Sequence, residues 1–520
     1  MLPVLVNKEH KVVVVDDDEA ISNLIPNLHT ITLRGERKLV VPHGPTETYL
    51  LRKLGHDVPA PINTHYDYCG GNPFEVQRKT CALLTMNQRA YVLSGMGTGK
   101  TKSALWAWHY LHANNFAKKL LVVAPLSTLK FTWAREVFNT LPGVNCAVLH
   151  GSRTKRLQLL SDPTIDIFII NHDGVKVVEE ALAANKDIDS IVLDELAVYR
   201  NGRSERTKRM RELARGMMWV WGMTGSPIPN EPTDAWGQAT IITPNTVPKF
   251  FGRFRDELMY KVTQYKYLPK PDAVDRAFAA LQPAVRFTLD DVVELPECVE
   301  RTMDVELGPK QAKIYDALAE HAYAAVQSKE ITAANAGAVM MKLLQVSAGW
   351  VYSSDKQVVP LDNEGRIEAL MDAINSTDNK VLVFVPFKHA LAGISKALAS
   401  EKIEHATISG DTAAGKRAEI FNLFQNTDKF RVLAAHPQCL AHGITLTAAD
   451  TVVWFAPVTS LEIYEQANHR IRRVGQKHKQ QLIHLQGTPV EKKIYSMLRR
   501  KQKVQNKLLD LFEQSTRDEA

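Results

Sequence analysis

At 520 residues the chain is longer than one hydrophobic core usually supports, so two large domains with smaller attachments are expected. Hydrophobic residues make up 45%, yet no apolar run reaches the roughly 18 residues that span a bilayer, and the amino terminus lacks a signal-peptide arrangement. These features argue against membrane insertion and secretion. The five cysteines form no CxxC pair, which argues against a zinc site or a disulfide framework, and a formal charge of +7 mildly favours a polyanionic partner.

In chain order, residues 1–70 carry short β-rich pieces (Val12 to Val15, Thr30 to Leu33, Leu39 to Val41) and a short helix near Thr46 to Leu54, and are expected to form a small accessory module. The acidic run Asp16 to Glu19 reads as a solvated turn. Residues 71–242 alternate Val/Ile/Leu-rich runs with helical patterns, as βαβ units of a parallel sheet do. The expected strands begin at Tyr91, Leu120, Cys146, Asp166, Ser190 and Trp219. Residues 243–362 read as a helical insertion with no strand series, and the aromatic cluster Phe250, Phe251 and Phe254 is expected to pack inside it. The basic stretch Arg206 to Arg215 reads as a solvated helix face. A second α/β series spans 363–490, with strands from Val381, His405, Arg431, Thr451 and Gln480, and a terminal helix follows over 491–520.

The chemistry concentrates in a few stretches. Ser94-Gly95-Met96-Gly97-Thr98-Gly99-Lys100-Thr101 lies between a strand and a helix, the context of a phosphate loop. Gly95, Gly97, Thr98 and Gly99 would cradle ATP phosphates, Lys100 would reach the β and γ phosphates, and Thr101 would hold Mg2+. The apolar run Ile191-Val192-Leu193 ends in Asp194-Glu195, placing Asp194 near the metal and leaving Glu195 to orient the attacking water. In Gln466-Ala467-Asn468-His469-Arg470-Ile471-Arg472-Arg473-Val474-Gly475-Gln476, helical spacing predicts that Gln466, Arg470 and Arg473 project from one face, where the two guanidinium groups could serve as arginine fingers.

Across about residues 72 to 500 the chain resembles the Swi/Snf group of superfamily-two helicase-like ATPases. The resemblance rests on the stretches above, on Met223-Thr224-Gly225-Ser226-Pro227-Ile228 with Asn230, and on Tyr199-Arg200-Asn201 with Ser204. Ala124-Pro125-Leu126-Ser127 with Trp133 and Glu136, Gly151, Asn171-His172-Asp173, Ser409-Gly410 with Arg417 and Phe424, and Thr445 to Asp450 extend it. It implies two RecA-like lobes sharing one ATP, with Gln77 facing the adenine base. It also implies nucleic-acid contacts at Ser127, Lys130, Gly151, Arg153, Lys388 and Thr445. Three departures stand out. Leu196 and Ala197 fill the place of a family histidine, His469 replaces an aspartate, and a doubled glycine is reduced to His442-Gly443. The short chain looks more like a bacterial or virus-encoded member, which would work in the bacterial or infected-host cytoplasm.

The implied activity is ATP-dependent translocation on double-stranded DNA, remodelling protein-DNA or branched DNA structures. A strand-separating or annealing helicase acting on DNA or RNA, single-stranded or branched DNA included, remains the rival. A clamp switched by ATP without motor activity is a second, which Lys100, Glu195, Arg470 and Arg473 argue against.

Overall fold

In the computed structural model, residues 4–26, 28–263, 266–327, 333–352, 357–440 and 444–518 are described. They fall into two units, Met1–Val292 with Gln505–Ala520, and Val293–Val504. Residues expected in one helical insertion are thus divided, those up to 292 lying with the first unit and the rest with the second.

The amino-terminal segment forms an antiparallel sheet in the order Leu5–Asn7, Val12–Asp16, Glu36–Pro42, His29–Leu33. Alternation buries Val13, Val15, Leu39 and Val41 against Ile21 and Leu51, a small core of its own. The acidic run is a solvated turn with a capping role: Asp18 accepts the Ala20 N–H at 2.8 Å to start the helix Glu19–Leu24.

The rest of the first unit is built on a seven-stranded parallel sheet. Its order is Ala284–Val285, Arg89–Val92, Trp219–Met223, Ile188–Asp194, Lys119–Ala124, Ile167–Asn171, Cys146–Val148. The central strands are buried on both faces, which is why they read as continuous apolar runs. Helices Glu75–Met86 and Lys100–Ala113 cover one layer, with Trp106 and Trp108 fully buried. Phe254 is buried as expected and Phe251 meets Trp236 edge-on at 5.5 Å, but Phe250 is exposed. The basic helix Glu205–Arg215 is structural and solvated: Arg206 pairs with Asp173, and Arg209 with Glu179.

The second unit carries a six-stranded parallel sheet in the order Cys298–Asp304, Gln480–Gln486, Ala449–Trp454, Lys380–Phe384, Val432–Ala435, His405–Ile408. Its first strand corrects the expectation that no strand precedes the second series. Cys298–Asp304 is an edge strand with largely exposed side chains, so it has neither an apolar run nor an alternating pattern. A buried ion pair, Arg366 Nη2 to Glu491 Oε2 at 2.7 Å, ties the helix Glu364–Asn375 to the start of the helix Pro489–Asp518. Glu491 Oε2 also accepts the N–H groups of Gly487 and Thr488, which offsets the desolvation of that oxygen, while Oε1 is buried without a partner among the described residues.

His484 makes the second unit acid-sensitive. Its Nε2 sits 2.8 Å from Tyr464 Oη, and burial, with Arg499 nearby, pushes its pKa down to about 3 although Glu300 lies 3.4 Å from Nδ1. The unfolded state therefore takes up the proton first. Stability contributed by neutral His484 is complete above the ordinary histidine pKa near 6.5 and is lost as pH falls from there towards 3. We expect melting temperature to decline over that range, and His484→Gln to flatten the decline. Identical acid limbs for both proteins would refute the assignment.

Candidate active site

Three adjacent strands, Arg89–Val92, Trp219–Met223 and Ile188–Asp194, end at the same edge of the first sheet, where parallel sheets place their ligands. Each feeds one candidate motif. After the first comes the phosphate loop, after the second Thr224-Gly225-Ser226, and the third ends in Asp194 with Glu195 following.

The loop conformation requires its glycines. Gly97 and Gly99 have φ of 83° and 81°, a region that side chains disfavour. A Cβ on Gly99 would lie 2.1 Å from Gln77 Nε2, so the Gln77 amide rests against the loop. Gln77 Oε1 accepts the Phe74 N–H at 2.9 Å, which orients that amide. Lys100 opens the helix Lys100–Ala113 and donates to the carbonyls of Ser94 and Gly95, both at 2.8 Å. Thr98 Oγ1 donates to Gly95 O at 3.0 Å, and Thr101 follows in the first helical turn.

Asp194 Oδ2 accepts the indole N–H of Trp133 at 2.9 Å, and Oδ1 accepts the Glu195 N–H at 3.1 Å. Desolvation pushes the Asp194 carboxyl upward, opposed by the Trp133 N–H, the Lys100 ammonium and the Glu195 N–H. Glu195 has φ of 54°, a left-handed conformation that costs a residue with a side chain energy and is held here by its surroundings. Leu196 and Ala197, in place of the family histidine, are buried.

Sequence reasoning missed several supporting residues. Trp133 entered the sequence reading only through the family resemblance, whereas its indole is buried and its N–H orients Asp194. Phe287 O accepts the Gly95 N–H at 2.8 Å, Phe287 N donates to Ser94 Oγ at 3.1 Å, and Arg286 Nη1 donates to Leu93 O at 2.8 Å. The carboxy-terminal helix reaches the same segment: Thr516 Oγ1 accepts the Arg286 N–H at 3.1 Å, and Glu513 lies 3.6 Å from Arg286 Nε. Gln505 Nε2 meets Ser226 Oγ at 3.4 Å. Trp133 and Asp194 are 61 residues apart in sequence and the other side-chain pairs 193 to 279 apart, so no local signal links them.

In the second unit one expectation is corrected. The helix Leu461–Asn468 ends before both arginines, so Arg470 and Arg473 lie in the turns that follow and do not share a helical face with Gln466. The reason is tertiary. Asn468 Oδ1 accepts the Trp454 indole N–H at 2.8 Å, Arg470 O accepts the Leu446 N–H at 2.9 Å, and Gln476 Nε2 donates to Ala449 O at 2.9 Å. Arg470 is 2% exposed, with Nε on Gln466 O at 2.7 Å and Nη1 on Ile444 O at 3.0 Å. Arg473 is half-buried, its Nη1 3.1 Å from Thr445 Oγ1 and its pKa lowered to about 10 by burial, so it stays charged at neutral pH. Gln466 itself is buried.

The expected nucleic-acid contacts divide between the units. Ser127 and Lys130 are exposed at the start of a helical stretch, Gly151 has φ of 100°, and Arg153 is exposed with Glu180 3.9 Å away. Lys388 begins the helix Lys388–Ser400 and pairs with Asp411, while Thr445 is engaged by Arg473. His442 and Gly443 lie outside the described residues. No helix among the described residues is long and apolar enough to cross a membrane.

Comparison with known proteins adds to this geometry. Residues 81–349 match the SNF2-related domain and residues 365–475 the helicase conserved C-terminal domain. A putative protein p41 of Acyrthosiphon pisum secondary endosymbiont phage 1 is 27% identical over 407 residues, 74% of this chain and 85% of its own length. The Xenopus laevis SWI/SNF-related matrix-associated actin-dependent regulator of chromatin subfamily A-like protein 1 is 24% identical over 401 residues, covering 75% of this chain but 39% of that protein. The human DNA annealing helicase and endonuclease ZRANB3 is 23% identical over 408 residues, 76% of this chain and 36% of its own length. Among solved structures, the Sulfolobus solfataricus SWI2/SNF2 ATPase core in complex with dsDNA aligns over 87% of this chain and 97% of its own, at 22% identity and a TM-score of 0.40.

Proposed function

Since the chain belongs to the SNF2-related family of helicase-like ATPases, we propose that it is an ATP-driven translocase on double-stranded DNA that remodels protein-DNA or branched DNA structures. The observation that carries the reading is the convergence of Lys100, Asp194, Glu195 and the Thr224-Gly225-Ser226 loop at the ends of three neighbouring strands. A phosphate loop beside an acidic pair, with the Thr224-Gly225-Ser226 loop on the strand between them, suits hydrolysis linked to movement more than a static nucleotide store.

The residues fit ATP and Mg2+. Gly97 and Gly99 leave the cradle that phosphates need, and each Asp194 oxygen keeps a lone pair beyond its one protein donor. Thr101 and Asp194 would hold the Mg2+, which supplies charge neutralisation along the phosphates. Gln77 would bind the base, Lys100 the phosphates, and Glu195 would orient water, its position fixed by the left-handed turn. Ser127, Lys130, Gly151, Arg153, Lys388 and Thr445 are proposed to meet phosphates of the DNA backbone, contacts that carry little sequence information and weaken steeply with salt. The human relative is named a DNA annealing helicase, which supports DNA as the substrate.

Steady-state ATP hydrolysis with no nucleic acid, single-stranded DNA, duplex DNA and RNA tests this directly. Duplex DNA should stimulate most, and equal rates in all four reactions would remove the motor. The enzyme should also displace a triplex-forming third strand from a duplex while ATP is hydrolysed. Efficient separation of a plain forked duplex with poor triplex displacement would move the protein to the strand-separating class.

A further inference from the structure

Trp133 faces inward, yet two residues earlier the same helical stretch carries one of the most exposed large apolar side chains of the chain. Leu129–Ala134 is a π-type turn, closed by the Trp133 N–H on Thr128 O at 2.9 Å, and it runs into the helix Arg135–Thr140. Wide turns of this kind recur at functional sites. On the outer side stand Phe131, 72% exposed, and Phe138, 83% exposed, with exposed Lys130 and Arg135 between and beside them. Neither ring meets another aromatic ring or a cation among the described residues. The one carboxylate between residues 126 and 140, Glu136, is turned to the Thr140 hydroxyl, which donates to it at 2.8 Å.

We infer that this face, Phe131 and Phe138 with Lys130 and Arg135, binds single-stranded nucleic acid by stacking unpaired bases on the two rings and pairing their phosphates with the two cations. Large rings left in water are uncommon on a soluble surface, and here each is separated from the next by a cation rather than by apolar neighbours. A protein-docking patch concentrates apolar contact and depletes charge at its centre. Alternating ring and cation suits a strand whose bases and phosphates also alternate, and every base has a face that can stack. The rings lie about two helical turns apart, so they engage different bases. Ser127 and Lys130, proposed above as duplex backbone contacts, adjoin the face, so it would receive the unpaired arm where a duplex frays or branches. This deepens the proposed function and rests on it for that placement, but not for strand binding itself.

The test uses the full chain, a fluorescein-labelled oligothymidylate of about 20 nucleotides, and a flush duplex of equal length at one fixed salt concentration. Both side chains are exposed, so their removal should leave folding intact. Phe131→Ala with Phe138→Ala should weaken oligothymidylate binding by roughly tenfold or more, leave duplex binding nearly unchanged, and be rescued by tryptophan at both positions. A 2-aminopurine base in a second oligonucleotide should change fluorescence on binding wild type and not on binding the alanine variant. Equal losses on both probes would make the face part of the duplex track, and no loss on either would assign it to a protein partner. Both results overturn the inference, as does unchanged 2-aminopurine fluorescence with wild type. If hydrolysis proves indifferent to nucleic acid while the alanine variant still loses oligothymidylate, the motor reading fails and the stacking face stands.

Discussion

Arg473→Ala is expected to lower the maximal rate of ATP hydrolysis by roughly 10³-fold or more while leaving DNA affinity within a few-fold. A finger's charge is best realised against the charge that develops in the transition state, so its loss falls on turnover more than on binding. The structure makes Arg473 a cleaner probe than Arg470. Arg470 spends its guanidinium on the carbonyls of Gln466 and Ile444 and is 2% exposed. Removing it leaves buried acceptors unpaired, at a cost of about 1–3 kcal/mol each. Arg470→Ala should therefore lose stability as well as activity, whereas Arg473→Ala should melt near wild type. Thr445→Val removes the hydroxyl that Arg473 engages while keeping the guanidinium, so it should retain more turnover than Arg473→Ala. An Arg473→Ala protein that hydrolyses ATP normally but has lost DNA would place this turn on the track instead.

Lys100→Ala and Glu195→Gln should both reduce turnover severely but differ in nucleotide binding. In the proposed role Lys100 would supply a charge to the phosphates, so its loss should weaken binding of ATP together with hydrolysis. Glu195→Gln keeps the shape and, in the proposed role, would impair the orientation of water, a change expected to cost about 10²–10⁴-fold in rate. It should retain nucleotide, which equilibrium binding of a fluorescent ATP analogue would show. Position 195 also carries a φ of 54°, and glycine accepts that conformation without penalty. Glu195→Gly should thus be no less stable than wild type while remaining inactive, a sign that the backbone there is strained for function. Near-normal turnover by Glu195→Gln would withdraw the water-orienting role.

How far the sequence could be read depended on where the determining contacts lie. Leu120 to Val123 and Val381 to Phe384 are wholly buried, so a continuous apolar run identified each strand without help. The phosphate loop and acidic pair were legible because their chemistry is local, with glycines and charged groups at fixed offsets. Cys298–Asp304 escaped because an exposed edge strand borrows its order from Gln480–Gln486, its hydrogen-bonded neighbour. The helix before Arg470 was drawn too long because no glycine or proline stands at Asn468, and the contacts of Trp454 and Leu446 end it. The exposed rings at 131 and 138 drew no expectation from the sequence, since spacing alone does not say which side of a helix meets water.

The first unit is not finished by its own contiguous stretch of chain. Leu508 and Phe512 are fully buried in it, Phe512 packs on Phe278 at 4.6 Å, and Thr516 and Glu513 hold Arg286 beside the phosphate loop. During synthesis from the amino terminus these residues emerge only after the whole of the second unit. A nascent chain therefore carries a phosphate loop whose flanking strand still lacks its outer clamp. The outer clamp on the loop's flanking strand is thus supplied by residues made after the second unit, so the first unit acquires it only once both units have been synthesised.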